Sequence, residues 1–242
     1  MKSAKFLALL TLSVVLAACA APAVEVQTLR IGLSPAAHPV TEAISVCVPN
    51  APDLAISIQA IYPNAVDLDA LDVYIQLDEP DELPAFVAQL AWEDVVVVLH
   101  ASNELDLDLE QIADLFSGRV QDWSELGGED ADISLWVGLA SEEARLAFVE
   151  SVAHGSPVVG WAKLAATPAD LLAAVAADPQ AAGILPAAWA NETVQAIDLG
   201  LRLPVLALAV EEPSGAARDL LACLQGEVGQ AVLAESYSAI NP

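Results

Sequence analysis

The segment from Leu109 to Gly128 constrains the fold most strongly, because its residues specify where a helix begins, where it ends and where the chain reverses. Asp108, followed three residues later by Gln111, forms the pairing that satisfies unpaired amides at a helix start. Gly118 stands where a left-handed residue commonly closes a helix. The apolar residues of the first helix and of the turn after it are Leu109, Ile112, Ala113, Phe116, Trp123 and Leu126. The segment predicts a short capped helix, a helical turn closed by a Gly-Gly pair, and a following strand.

Strand-like and helix-like segments alternate along the rest of the chain. Val95–Leu99 is an unbroken apolar, mostly β-branched run, which is typical of a strand buried on both faces. We predict strands over Leu29–Leu33, Leu54–Ala60, Asp72–Leu77, Glu93–His100, Ile133–Val137 and Leu203–Val210, with one more ending at Pro186. We predict helices over Pro39–Cys47, Leu83–Ala91, Glu142–Val152, Pro168–Ala177, Ser214–Gln225 and Glu227–Ser236. This alternation predicts an α/β fold with mainly parallel sheets.

The first residues have the pattern of an export signal. Two lysines near the start precede an apolar run over Phe6–Ala18 that is too short to span a membrane, so residues 1–18 are predicted to be a signal peptide. The following Cys19 completes a sequence that resembles a bacterial lipobox, in which this cysteine is lipidated; the alternative is an ordinary signal peptide with an incidental cysteine. We expect an extracytoplasmic protein, lipid-anchored to the cell membrane through a tether over residues 19–28.

The composition of the chain limits the classes of molecule that it is expected to bind. The chain has 34 acidic and 8 basic residues, a formal net charge of −26, yet 56% of its residues are hydrophobic. So acidic a chain repels polyanions, and nucleic acid is therefore not expected as a partner. The hydrophobic content and the 242-residue length are enough for a packed core, in one large or two small domains.

Two blocks in the central segment carry a family resemblance. Phe116-Ser117-Gly118 and the Trp-Ser-Glu-Leu-Gly-Gly run over residues 123–128 resemble the signature of phosphate-type periplasmic solute-binding proteins, the two-lobed receptors of ABC importers. The resemblance implies a type 2 periplasmic-binding-protein-like fold, with a hinge between lobe 1 (29–100 plus 202–242) and lobe 2 (101–201). It also implies a small-molecule solute held between the lobes and ABC permease subunits as partners. We expect a monomer.

The same resemblance implies where a ligand would bind. The positions that match the family's ligand loops, or lie beside them, are Ser34, His38, Asp78, Ser141 and Arg145. Ser34 could instead cap the helix that follows it. Arg145 could instead pair with Glu142 or Glu143 one turn away.

Departures from the family pattern argue against phosphate. Glu142-Glu143-Ala144 replaces the Ser-Gly-Thr that begins the corresponding helix in the family. Two like charges about 4 Å apart repel by about 1 kcal/mol in water and about 4 kcal/mol near a protein surface, so carboxylates here oppose a phosphate dianion. An acidic cleft suits a cationic or polar solute. The alternative is a sensor or interaction lipoprotein of the same fold that has lost ligand binding.

The cysteines and the absence of catalytic motifs bear on covalent bonding and on enzymatic function. In the resembled fold Cys47 and Cys223 both belong to lobe 1, so they form either a disulfide or two buried thiols. The sequence has no CxxC, HExxH or histidine cluster, so no metal site and no cofactor are predicted. It also lacks GxSxG and Walker motifs, and we do not expect an enzyme.

Overall fold

The computed structural model describes residues 26–49 and 51–240. Its strands are β1 (Gln27–Leu33), β2 (Leu54–Ala60), β3 (Val73–Leu77), β4 (Phe86–His100), β5 (Ser134–Val137), β6 (Lys163–Leu164), β7 (Ala181–Pro186) and β8 (Val194–Ala209). Its α-helices are α1 (Thr41–Cys47), α2 (Leu109–Ser117), α3 (Glu143–Ser151), α4 (Pro168–Ala177), α5 (Gly215–Leu224) and α6 (Glu227–Leu233). The alternation confirms the α/β class.

The described strands form one mixed sheet in the order β2-β1-β3-β8-β4-β7-β5-β6. The outer pairings are parallel: β1 with β2 and β3, and β5 with β6 and β7. The pairings at the centre, where β8 and β4 join β3 and β7, are antiparallel. The parallel character predicted from sequence therefore holds in the two outer parts of the sheet.

Strands β4 and β8 are the long elements that connect the two halves of the molecule. They pair with each other along almost their whole length, with register shifts between Gln89 and Ala91 and between Val95 and Val96. We call β1–β3 with α1, α5 and α6 the first half, and β5–β7 with α2–α4 the second half. Because β4 and β8 pass through both, backbone hydrogen bonding continues across the junction and does not divide into two separate sheets.

One predicted element is wrong, and another is longer than expected. Residues 83–91 were expected to form a helix, but Phe86–Ala91 is the first part of β4 and pairs with Val205–Ala209 of β8. Alanine, leucine and glutamine are good helix formers, but intrinsic propensity differs by at most about 0.7 kcal/mol per ordinary residue, and pairing with a neighbouring strand overrides it. The return strand β8 begins at Val194 and not at Leu203, because its first part pairs with the far end of β4.

The local predictions for the central segment are confirmed. Asp108 caps α2 by accepting from the Gln111 amide at 2.8 Å, and the Gln111 side chain accepts from the Asp108 amide at 3.0 Å. Gly118 closes the helix in the left-handed region, with φ of +77°. Trp123 begins a 3-10 turn and donates from Nε1 to the Gln180 carbonyl at 3.1 Å. The segment is thereby fastened to the start of β7, as scaffold of the second half.

The cysteines at the two ends of the fold lie together. Cys47, the last residue of α1, forms a disulfide with Cys223 in α5, and their Cα atoms are 5.4 Å apart. The predicted signal peptide and Cys19 lie outside the described residues. Within the part of the chain that the structure describes, no helix has the length and apolarity needed to cross a membrane.

Candidate functional site

Three strand ends meet between the two halves. Ser34 directly follows β1, Asp78 directly follows β3, and Gly138 follows β5 just before α3. The carboxyl ends of strands at such a junction are where ligands commonly bind in α/β proteins. The residues at the start of α3 face this junction and determine its chemistry.

Glu142 caps α3 with its own carboxylate. The carboxylate accepts from the Ala144 amide at 3.3 Å and from the Arg145 amide at 2.8 Å. The side chain is 6% exposed and folds back over Gly138, where an added Cβ would lie 2.9 Å from the Glu142 Cγ. Amides that could receive an anion at this helix start are therefore already occupied.

Glu143 reaches across the junction. It belongs to the second half, but its Oε1 accepts from the backbone amide of Leu77, in the first half, at 3.3 Å. The Ser34 hydroxyl, also in the first half, lies close enough to lower the pKa of the same carboxyl group. The side chain is 5% exposed. The carboxyl group of Glu143 thus bonds to β3 of the opposite half and lies near the residue that follows β1.

Burial changes the protonation of this pair. Burial raises the pKa of Glu142 to about 8, and repulsion from Glu143 adds to the effect. Burial also raises the pKa of Glu143, against the lowering effect of the hydrogen bonds from Ser34 and Leu77, while the nearby Asp78 charge raises it further. The two carboxyls therefore keep protons to a higher pH than exposed glutamates.

Little space remains between the halves at this point. The cavity there has a volume of about 10 Å³, and a single water needs about 10–15 Å³. It is lined by Pro35, Tyr62, Gly138, Glu142, Glu143, Ala166, Thr167, Pro168, Leu171, Ile184, Leu185 and Pro186. Two more contacts join the walls: the Tyr62 hydroxyl donates to the Ala166 carbonyl, and Trp189 Nε1 donates to the Ala36 carbonyl at 2.9 Å. The junction is closed.

A larger cavity of about 340 Å³ lies beside it, on the other side of Glu143. Its wall includes five carboxylates together with Ser141, Gln76 and apolar side chains such as Leu146 and Leu208; the carboxylates belong to Asp78, Glu79, Asp81, Glu82 and Glu143. Among the described residues, no lysine or arginine lines it. Asp78 has a φ of +62°, in a region that aspartate tolerates better than most residues. The wall has the chemistry to receive a cation.

Comparison with known proteins decides the family. Residues 75–220, more than half of the chain, match the model of the PBP superfamily domain, the periplasmic-binding-protein superfamily. The chain belongs to the PBP superfamily. The resemblance to phosphate-type periplasmic binding proteins and the type 2 fold are thereby confirmed.

Solved structures share this PBP fold at low sequence identity. A candidate phosphate ABC transporter substrate-binding protein from Clostridium perfringens, with bound phosphate, has a TM-score of 0.77 at 20% identity, over 87% of this chain and 98% of its own. An ABC-type phosphate transport receptor from Vibrio cholerae has a TM-score of 0.66 at 18% identity, over 88% and 99%. A mutant OxyR2 regulatory domain from Vibrio vulnificus has a TM-score of 0.59 at 12% identity, over 86% and 97%. The fold is therefore similar to that of proteins with different roles.

The PBP fold brings four of the five predicted ligand residues to the junction. Asp78 and Ser141 line the larger cavity. Ser34 lies near Glu143 and accepts from the Ala37 amide at 3.2 Å, but it does not cap the following helix, because neither the 3-10 turn at His38 nor α1 has a side-chain cap. Arg145 donates from Nη1 to the Gly138 carbonyl at 2.8 Å.

One predicted ion pair, that of Arg145, is not found, and one predicted ligand residue, His38, lies away from both cavities. Among the described residues, no ion pair within 4.0 Å joins Arg145 to Glu142 or Glu143, although the Arg145 charge acts to lower the pKa of Glu142. His38 is exposed, 6.1 Å from the Trp189 ring between centroids, and lines neither cavity described above. Whether any of these residues binds a ligand stays a prediction.

Sequence reasoning missed a buried acid at the crossing of β4. Glu93 is 1% exposed; its Oε1 accepts from the Ala188 amide at 3.1 Å, and its Oε2 has no partner among the described residues. Burial raises its pKa to about 8. The sequence offered one signal, an acid directly before the apolar run of β4. Because the chain has 34 acidic residues, one acid at this position could not be distinguished from the others by sequence alone.

Proposed function

We propose that this PBP-superfamily protein is an extracytoplasmic, lipid-anchored solute receptor of an ABC-type importer. Its solute would be cationic or polar, captured between lobe 1 (29–100 plus 202–242) and lobe 2 (101–201). The observation that carries the proposal is the acidic wall at the junction, where Asp78 from the first half stands near Glu143 from the second. A solute that contacts both halves would favour the closed state.

Phosphate is a poor candidate for this site. The solved relative from Clostridium perfringens holds phosphate, but here the helix start is capped by Glu142, and Glu143 takes the Leu77 amide. The cavity at that point measures about 10 Å³, too small for any oxyanion. A phosphate dianion would have to displace both buried side chains, and each displaced carboxyl that lost its proton would then repel it.

A compact organic cation fits the neighbouring cavity better. Its 340 Å³ volume lies within the about 300–1,000 Å³ of small-molecule sites. Its carboxylates would attract ammonium or guanidinium groups, and apolar residues such as Leu146 would contact methylene groups. A cleft lined by one sign of charge also concentrates ligands of the opposite sign.

Features outside the cleft support the cellular setting. Residues 1–18 have the pattern of an export signal, and Cys19 stands in a lipobox-like sequence. The disulfide between Cys47 and Cys223 suits an oxidising compartment. Periplasmic binding proteins deliver solutes and do not transform them, so we propose a monomeric, non-enzymatic protein whose protein partners are permease subunits.

A ligand screen on the mature protein in detergent tests the proposal. Diamines, polyamines, arginine, lysine and phosphate would each be tested by thermal shift. A ligand at about 100 times its dissociation constant stabilises the folded state by about 2.7 kcal/mol. For a chain of this size that raises the midpoint by about 5–10 °C. We expect a cationic ligand to do so, and Asp78→Asn to weaken the shift, whereas Glu192→Gln at an exposed position should not.

A second function is favoured by the closed junction. With about 10 Å³ between the halves and Glu143 bonded across them, this part of the junction has no room for a solute, as would suit a sensor or interaction lipoprotein of the same fold. If no ligand of any class shifts the midpoint, this second function is preferred. A shift with phosphate alone would contradict the interpretation of Glu142 and Glu143.

A further inference from the structure

We propose that Glu143 acts as a built-in ligand: its carboxyl group fills a latent site for a small carboxylate or oxyanion and holds the two halves closed. The inference goes beyond the proposed function, since it rests on contacts within the chain and not on the identity of any solute.

The groups that meet at Glu143 come from opposite halves of the molecule. Glu143 is the first residue of α3, in the second half, whereas Leu77 ends β3 and Ser34 follows β1, both in the first half. Glu143 and Leu77 are 66 residues apart in sequence, and their bond is an amide donating to Oε1 at 3.3 Å. No local turn requires this contact. It exists because the halves are closed.

The groups around the Glu143 carboxyl are hydrogen-bond donors. The Leu77 backbone amide donates to the Glu143 carboxyl group, and the Ser34 hydroxyl lies near it; both residues stand at the carboxyl ends of strands. Donors of these kinds, placed where strands end and a helix begins, are suited to a small anion. Glu143 is 5% exposed, so water does not readily replace it. The side chain therefore makes the contacts that an anion between the halves would make.

A free anion would have to compete with Glu143 for this place. Because Glu143 is attached to the chain, its carboxylate is present at the site at a high effective concentration, and a free anion must displace it. The cavity of about 10 Å³ beside it leaves no room for both. The wild-type protein should therefore bind neither acetate nor phosphate at this place, while removal of the side chain should create an acceptor site.

Chemical rescue of Glu143→Ala tests the inference. Acetate, formate and phosphate would be titrated into the full-length variant in detergent, with thermal shift and calorimetry as readouts. Small-angle scattering would report the separation of the halves. We expect the variant to be more open than wild type, to bind acetate or formate at least about tenfold more tightly than wild type, and to close again when the anion binds.

Two further variants serve as controls. Glu143→Gln keeps the shape and an acceptor oxygen, so it should stay closed and show no gain in acetate binding. Glu150→Ala removes an exposed carboxylate from the same helix and should behave as wild type. A folded Glu143→Ala variant that is as compact as wild type and gains no anion binding would overturn the proposal.

If Glu143→Ala does not fold, Ser34→Ala removes a donor from the opposite side with little change of volume. Ser34→Ala should increase the population of open molecules seen by scattering. An unchanged scattering profile would count against the role of Glu143 in holding the halves closed. The outcome is separable from the solute screen. A cationic ligand that binds wild type supports the receptor function whatever Glu143→Ala does, and anion rescue supports the role of Glu143 as a built-in ligand even if every cation fails.

Discussion

Glu93 offers a test of how burial couples this fold to pH. The residue lies on β4 where the strand passes between the halves, with Oε1 bonded to the Ala188 amide and Oε2 without a partner in the described part of the chain. Asp94 and Tyr237 are the charged and titratable groups coupled to it. Replacing Glu93 by glutamine keeps the shape and the acceptor oxygen, but it removes the titrating proton.

The size of the effect follows from the pKa of Glu93, which burial raises from 4.5 to about 8. Between these values the folded protein holds a proton that the unfolded chain releases. The stabilisation is therefore complete below about pH 4.5, declines as pH rises, and is lost above about pH 8. Each unit of pKa corresponds to about 1.36 kcal/mol, so the whole span is worth about 5 kcal/mol.

Urea unfolding at pH 5 and pH 9 measures this difference. We expect wild type to lose about 4 kcal/mol more than Glu93→Gln over that interval, because a part of the whole span is already lost at pH 5. Glu142 and Glu143 titrate in both proteins, so their contributions cancel in the comparison. Glu192→Gln, which changes an exposed carboxylate, should lose as much stability as wild type. Equal losses for wild type and Glu93→Gln would refute the assignment of a buried proton to this residue.

Two structural predictions concern stability alone. Replacing Cys47 and Cys223 by alanine opens a covalent loop that joins residues 176 positions apart, which in the chain-entropy model costs about 5 kcal/mol; urea midpoints with and without reductant measure it, and identical midpoints would exclude the contribution. Gly138→Ala places a methyl group 2.9 Å from the Glu142 Cγ, and we expect a loss of about 1–3 kcal/mol. Gly160→Ala meets no atom within 4 Å and should be near neutral; an equal loss at both glycines would contradict the crowding at Gly138.

Local chemistry determined a large part of this structure from the sequence. The Asp108 cap, the left-handed Gly118 and the start of α4 at Pro168 depend on residues within a few positions of one another, and each was predictable for that reason. The blocks around Trp123 predicted the fold through their resemblance to a family signature, while the turn that they build was predictable from local chemistry. The acid pair at the start of α3 was also visible in the sequence alone; that it disfavours phosphate stays a prediction.

Tertiary structure decided what depends on partners distant in the chain. Residues 86–91 became a strand because β8 supplied backbone partners more than 100 residues away, which local preference could not reveal. The contact of Glu143 with Leu77 requires two halves to close over 66 intervening residues, and the burial of Glu93 requires both β8 and the Ala188 turn. A sequence records which side chains carry charge. Only the folded chain determines which of them lose water, because desolvation depends on everything that packs around them.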